Sequence, residues 1–426
     1  MSKIFFKTFG CRTNIYDTQV MISQLLNAES SQKFEISDNE NEADIIIINS
    51  CTVTNNADKS LKEYISRINK LNKKIFFTGC ALEGVGKNAF QKGKIFGAFG
   101  HSKKAEVANL LNAKSPFFAP NDLSAVDNVA LTTLTGRTRA FIKVQEGCDF
   151  KCSYCIIPQV RGKARSLARD LILAQVRTLS MQGISEFVLS GTNLGSYGKD
   201  SRDSLPKLIS DMAEIKGVRR IRLGSLEPSQ IKGDFLAMLD SPHIAEVLEK
   251  HLHIAIQHTD DAMLKLMNRA NRFEKDLKLF ESLANKGFAI GTDFIVAHPN
   301  EDDKIFESAL KKLEAMPLTH IHCFIFSPRK NTKSATMPNT TPKIIAKERL
   351  SRVKNAIALK NFAFRQKIAN KKLPLNILVE SQKGAFCYGF DQYFNKVAII
   401  SAQNLCKKWV TINHFNAKKD INYAEI

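Results

Sequence analysis

The chain has 426 residues, 44% hydrophobic and 24% charged, with 62 Lys and Arg against 42 Asp and Glu, a formal net charge of +20. Lys3 and Lys7 break the only apolar run near the N-terminus, no apolar stretch approaches the roughly 18 residues of a membrane span, and nine cysteines, an odd number, do not suit a secreted disulfide framework. The chain therefore reads as a cytoplasmic protein of two or three domains with no membrane partner, and its charge points to a polyanion, nucleic acid foremost, unless it reflects a generally basic proteome.

Ile4–Phe9 predicts a strand, Tyr16–Asn27 a helix and Asp44–Asn49 a buried strand. A helix over Ala57–Leu71, a strand at Lys74–Thr78, a strand near Ile95–Ala98 and a helix near Lys103–Asn112 follow. Continuous β-branched runs between helical patterns give an α/β fold, an open parallel sheet forming a domain over residues 1–115. Each of the first three strands ends in a small residue and a cysteine: Cys11, Cys51 and Cys80. Open α/β sheets bind ligands at the carboxyl ends of their strands. The repeated placement predicts a shared three-cysteine metal site, against the plainer reading of each as a small buried hydrophobe. Cys323, Cys387 and Cys406 have no such partners and read as packing residues.

Residues from Ser115 to about Gly136 carry little periodicity and read as a linker. Strands are then predicted at Arg139–Gln145, Glu186–Ser190, Arg219–Leu223, Leu252–Ile256, Ala289–Val296 and His320–Phe326, with helices such as Ala168–Gln182, Leu205–Ile215 and Glu301–Ala315 between them. Six βα units make a partial (βα)6 barrel over residues 136–370. Its first strand runs into Gly-Cys148-Asp-Phe-Lys-Cys152-Ser-Tyr-Cys155, at the C-terminal end of the barrel. Three thiolates so spaced suit an iron–sulfur cluster with one iron left open. A zinc site, which usually takes four ligands, and a chance cluster are the alternatives. Between Thr341 and Lys372 lie ten Lys or Arg against one acid, Glu348, read as a helix with either a solvated basic face or a phosphate-binding one. Short β-rich runs at Asn376–Glu380, Ala385–Phe390, Lys396–Ile400 and Trp409–Ile412 fit a small five-stranded barrel over residues 371–426. Its aromatics Phe386, Tyr388, Phe390, Tyr393, Phe394 and Trp409 divide between core and stacking surface for unpaired bases.

Several strings carry a resemblance: Lys-Thr-Phe-Gly-Cys-Arg-Thr-Asn-Ile-Tyr at 7–16, Asn-Ser-Cys-Thr-Val-Thr-Asn-Asn-Ala-Asp at 49–58, and Gln-Glu-Gly-Cys-Asp-Phe-Lys-Cys-Ser-Tyr-Cys-Ile-Ile-Pro at 145–158. Ser-Gly-Thr-Asn-Leu-Gly-Ser-Tyr-Gly at 190–198 and His-Ile-Ala-Ile-Gln-His at 253–258 add to them. With these the chain resembles, over nearly its whole length, the radical S-adenosylmethionine methylthiotransferases, including their C-terminal TRAM-like RNA-binding barrel. Cys-Thr-Val-Thr followed by Ala-Asp-Lys is similar to the branch acting on N6-threonylcarbamoyladenosine beside the tRNA anticodon. The isopentenyladenosine branch and the branch modifying a ribosomal-protein aspartate are the alternatives. The chain departs from the family's usual Gly-Phe-Pro-Gly-Glu-Thr at Ala297–Asp302, and its last barrel is short.

The resemblance implies two 4Fe–4S clusters and S-adenosylmethionine as cofactors. Cys148, Cys152 and Cys155 would hold the cluster that binds S-adenosylmethionine and generates a radical. Cys11, Cys51 and Cys80 would hold the cluster that delivers sulfur. Gly191, Thr192, Asn193, Ser225, Glu227 and Gln257, at barrel strand ends, are the candidate cofactor contacts, each against a plain capping or turn role. Arg161 and Arg165 are candidates for a cofactor carboxylate or an RNA phosphate, and His258 and His298 need be no more than loop residues. Implied partners are the tRNA anticodon stem-loop, an electron donor such as flavodoxin or ferredoxin, and a sulfur donor. A non-catalytic iron–sulfur or zinc RNA-binding module is the alternative from another class.

Overall fold

In the computed structural model, which describes residues 2–28, 34–338 and 341–426, the first sheet is six-stranded and parallel. Its strands are β1 (Ser2–Thr8), β2 (Phe34–Ile36), β3 (Ile45–Ser50), β4 (Lys74–Gly79), β5 (Gly97–Phe99) and β6 (Phe117–Ala119), in the order β2-β1-β3-β4-β5-β6. The Ile45–Ile48 run is buried on both faces. Ile46 and Ile48 pack with Leu61, Ile65 and Ile68 of the helix Asn55–Ile68, while Ile45 and Ile47 pack with Met21 and Leu25 of the helix Arg12–Leu26. Thr54 caps the former by accepting a hydrogen bond from Ala57 N at 3.2 Å. Two short edge strands, β2 and β6, carry too few residues for a periodic signal, and β6 lies in the stretch read as linker. The first helix starts at Arg12, four residues earlier than its apolar pattern, with Cys11 at the N-cap position and no side-chain cap hydrogen bond.

The barrel strands are β7 (Ala140–Glu146), β8 (Arg165–Ser166), β9 (Glu186–Gly191), β10 (Arg220–Leu223), β11 (His251–His253), β12 (Ala289–Val296) and β13 (His320–Ile325). Parallel pairing gives β7-β9-β10 and β11-β12-β13, joined by bridges from Ile221 to Leu248 and from Leu226 to Ile254, so six parallel strands form an open barrel. The two-residue β8, absent from the sequence reading, runs antiparallel along β7. Outward-facing Ile142, Leu189, Ile221, Leu252 and Phe294 share one core with Val176, Leu208, Phe280 and Leu310 of the flanking helices. Tyr16 and Val20 belong to the same core, so the helix Arg12–Leu26 docks the first sheet onto the barrel.

After the helix Lys343–Asn370 come β14 (Leu375–Lys383), β15 (Phe386–Phe390), β16 (Lys396–Ile400), β17 (Trp409–Ile412), β18 (Asn416–Ala417) and β19 (Asn422–Glu425). They form a curled half-barrel in the order β17-β14-β15-β16-β19-β18. It has six strands where five were read, and β19 pairs in parallel with β16, leaving β17 and β18 as open edges among the described residues. Arg220 and Arg222 of β10 donate to Asn376 O at 2.6 Å and Asp391 O at 2.9 Å, tying this sheet to the barrel. No helix among the described residues is long and apolar enough to cross a membrane.

Candidate active site: two cysteine triplets joined through Arg161

Cys11, Cys51 and Cys80 follow the carboxyl ends of adjacent parallel strands β1, β3 and β4. Two glycines let these ends close up. A Cβ on Gly10 (φ 108°) would lie 2.6 Å from Cys51 Cβ, and one on Gly79 (φ 97°) would lie 2.4 Å from Ser50 O. Asn14 and Asn49 lock the arrangement: Asn14 Nδ2 donates to Ser50 O at 2.8 Å, and Asn49 Nδ2 donates to Asn14 O at 2.8 Å. Cys51 and Cys80 are buried and Cys11 is exposed. Burial pushes the Cys51 thiol up to about 11, and the neighbouring Cys80 and Cys11 add to the shift. Burial also raises Cys80, opposed by the guanidinium of Arg161.

The second triplet lies on the loop after β7. Cys148 N donates to Gly162 O at 3.0 Å and Cys155 N to Cys152 O at 3.1 Å. Burial raises Cys148, and raises Cys155 to about 12. The loop is held from the barrel side. Ser153 N donates to Met267 O at 3.0 Å, Asn268 Nδ2 to Lys151 O at 2.6 Å, and His298 reaches Ser153 through Ser334 Oγ by two contacts of 2.8 Å. Both triplets thus gather soft donors, and burial is the main cause that raises the thiols of Cys51, Cys80, Cys148 and Cys155. That donor chemistry fits an iron–sulfur cluster at each.

Arg161 joins the two triplets and departs from its expected role. It ends the short helix after the cysteine loop, and its side chain is buried and spent on protein partners. Its Nε donates to Cys80 Sγ at 3.1 Å and its Nη1 to Asp17 Oδ2 at 2.9 Å and to Glu146. Around it is a buried set of three cations (Lys104, Lys143, Arg161) and three carboxylates (Asp17, Asp127, Glu146), with His101 Nε2 3.2 Å from Glu146. Its cations hold the Asp17 and Glu146 carboxyls below their ordinary range, against burial, the largest effect, which raises both. Burial lowers His101, leaving it neutral. Arg165, the other arginine, spends its guanidinium on the carbonyls of Ala125, Arg161 and Lys163.

The expected cofactor residues divide. Asn193 Nδ2 lies 3.7 Å from Cys148 Sγ, and Thr192 Oγ1 accepts from Gly147 N at 3.3 Å beside it. Gly191 ends β9 against Gln145, whose side chain accepts from Asn193 N at 2.8 Å. Glu227 pairs with Arg269, whose Nη1 is 3.9 Å from Cys152 Sγ. Burial raises the Glu227 carboxyl, opposed by Arg269. Ser225 is exposed after β10, and Gln257, at φ 69°, sits between β11 and β12 with its N–H donating to Asp293 O at 3.0 Å. Arg269 was missed: no motif marks it, and only the fold carries it to the cysteine loop. Asn14, Asp17 and Glu146 had a weak signal, flanking Cys11 and Cys148 within six residues. His258 and His298 are buried, more than loop residues.

Two surface readings change. Of the ten cations in 341–372, Arg349 and Arg365 are buried, Arg352 pairs with Glu307 and half-buried Lys360 donates to Glu314 O, leaving Lys343, Lys347, Lys354, Lys367, Lys371 and Lys372 exposed. Of the aromatics, Tyr393 is core, Phe394 stacks on His251 and Phe390, and Trp409 Nε1 donates to Ser185 Oγ at 2.8 Å under Arg219 and Arg220. Phe386 and Tyr388 remain on the outer face beside half-exposed Tyr423. Cys323 and Cys387 are buried, as packing residues should be.

Residues 142–313 match the radical SAM superfamily and residues 3–99 match an uncharacterized family, UPF0004. The fold is similar to that of the cobalamin-bound radical S-adenosylmethionine methyltransferase TsrM of Kitasatospora setae, with a TM-score of 0.59 at 12% identity over 79% of this chain and 77% of that one. A provisionally named methylthiotransferase of Helicobacter pylori is 48% identical over all of both chains. The threonylcarbamoyladenosine tRNA methylthiotransferase MtaB of Thermotoga maritima is 30% identical over 93% of this chain and 91% of that one. The tRNA-2-methylthio-N(6)-dimethylallyladenosine synthase of Wolinella succinogenes is 30% identical over 82% of each. The chain belongs to the radical S-adenosylmethionine methylthiotransferases, MtaB-like among them, and is an enzyme whose cofactors are S-adenosylmethionine and 4Fe–4S clusters, two being typical of the family.

Proposed function

We propose that the chain is a tRNA methylthiotransferase that places a methylthio group at C2 of N6-threonylcarbamoyladenosine beside the anticodon. The observation that carries the two-centre reading is Arg161, which leaves the Cys148–Cys155 loop and donates to Cys80 of the other triplet. In this reading Cys148, Cys152 and Cys155 hold one cluster and Cys11, Cys51 and Cys80 the other. When bound, the cofactors supply reductive cleavage of S-adenosylmethionine, removal of a hydrogen atom from the adenine C2, and the sulfur and methyl group that replace it. Asn193, Thr192, Gly191, Glu227, Ser225 and Gln257 orient the methionine and ribose parts of the cofactor, with Arg269 fixing Glu227. Exposed Lys354, Lys367, Lys371 and Lys372 track tRNA phosphates. The division into residues 1–115, 136–370 and 371–426, a cytoplasmic location, an external electron donor and an external sulfur donor belong to the same reading.

Support for the threonylcarbamoyl branch comes from the string Cys51-Thr-Val-Thr-Asn-Asn-Ala-Asp58, a segment that Arg329 holds by donating to Thr52 Oγ1 at 2.6 Å, Asn55 Oδ1 at 2.8 Å and Asp58 Oδ2 at 2.8 Å. Relatives named for dimethylallyladenosine keep that nucleoside as the second reading. Mass spectrometry of tRNA nucleosides from cells with and without the gene tests the choice. Loss of the methylthio group from threonylcarbamoyladenosine alone is the expected result; loss from the dimethylallyl nucleoside alone overturns it.

A further inference from the structure

The cysteine triplets do not use a group of histidines on the other face of the barrel strands. His251 and His253 on β11 alternate with core Leu252 and Ile254; Asp293 on β12 alternates with Thr292 and core Phe294; His320 and His322 on β13 flank Ile321. All five therefore point away from the flanking helices, into the barrel. One Asp293 oxygen, Oδ1, lies 3.1 Å from His253 Nε2 and 3.4 Å from His322 Nδ1, and the three donor atoms lie within 4.8 Å of one another. Yet His253 Nε2, on a buried ring, has no hydrogen bond of good geometry. His251 Nε2 is buried and unpartnered as well. Gly291 leaves the floor between them bare, since a side chain there would come 2.9 Å from His251 Nε2 and 3.0 Å from His253 Nδ1.

The geometry points to a mononuclear site for a borderline divalent cation, zinc or its neighbours, held by His253, Asp293 and His322. Ligand atoms about 2.0–2.1 Å from such an ion in a tetrahedron stand about 3.4 Å apart, and two of the three edges here are 3.1 and 3.4 Å. Imidazole with one carboxylate is a nitrogen–oxygen donor set, which separates this site from the thiolate triplets in metal preference. Three protein ligands leave a position open for water or an oxygen or nitrogen group of a ligand, and the His322 side chain is largely exposed.

The test uses the full chain with its clusters reconstituted, incubated with zinc and then desalted. One zinc per chain beyond cluster iron is expected, with nitrogen and oxygen neighbours at about 2.0–2.1 Å in zinc K-edge absorption and no sulfur shell at about 2.3 Å. His253→Asn/His322→Asn and, separately, Asp293→Asn should each lose this zinc while keeping wild-type iron content and cluster absorption. The two substitutions guard against one that fails to fold. No retained zinc, zinc retained by both variants, or a sulfur shell would each overturn the site.

Discussion

Replacing Arg161 by Met removes one cation from a buried set that is otherwise balanced, three against three. The guanidinium stands 2.9 Å from Asp17 Oδ2, and side-chain exposure of both is 2%. At an effective dielectric constant of about 20, unit charges that close attract by about 6 kcal/mol. Desolvation of Arg161 offsets part of this, so the net loss should be about 3–5 kcal/mol, the usual cost of stranding a buried charge. Arg161→Met/Asp17→Asn returns the set to two cations (Lys104, Lys143) and two carboxylates (Asp127, Glu146), and should recover about 2 kcal/mol or more of that loss. Urea unfolding of cluster-free wild type, Arg161→Met, Asp17→Asn and the double variant, followed by pulse proteolysis, gives the four free energies without the added linkage of bound cofactor. If Arg161→Met costs less than about 1 kcal/mol, or if the double variant loses the sum of the single losses, the charge-balance account is wrong.

Cys152→Ala should abolish formation of 5′-deoxyadenosine from S-adenosylmethionine, whereas Cys51→Ala should keep it and lose methylthiolation, both read by chromatography and mass spectrometry of the reaction mixture. Changing Lys354, Lys367, Lys371 and Lys372 to Gln should weaken tRNA binding and flatten its salt dependence, by up to about 0.7–0.9 in log–log slope for each phosphate no longer neutralised, as measured by filter binding across salt concentrations. His101 and His298 are held below the ordinary histidine range, first by burial. The folded form keeps them neutral while the unfolded chain takes up protons. Stability is therefore full well above about pH 6.5 and falls on acidification by at most about 1.4 kcal/mol per pH unit for each histidine, until the folded form itself takes up the proton. Urea midpoints between pH 7 and 5 should show this slope, and His298→Asn should reduce it.

The strands of the first sheet and the barrel were legible because buried parallel strands are written as continuous apolar runs: Ile45–Ile48 and Ala289–Val296 can be little else. Three-residue and two-residue edges such as Phe34–Ile36 and Asn416–Ala417 hold too few side chains to show a period, so the closed five-stranded barrel became an open six-stranded sheet. The cysteines were legible for another reason: their spacing and strand-end placement are properties of the chain itself. What joins them is not. Arg161 looks from sequence like an anion-binding side chain on an exposed loop. Its partners Asp17, 144 residues away, and Cys80, 81 residues away, become visible only when the helix Arg12–Leu26 docks on the barrel. The same holds for Arg269 beside Cys152, and for the histidines of β11 and β13, whose common side is set by strand register across β12. Sequence locality carries ligands that act from one loop or one kind of strand end. The groups that set the charge around those ligands come from separate elements, so their roles depend on packing. Two domains that each placed a cysteine triplet correctly but docked differently would keep both donor sets and break the Arg161–Cys80 hydrogen bond. The effect of Arg161→Met on each cluster's electronic signature therefore reports on the docking itself, not on either triplet alone.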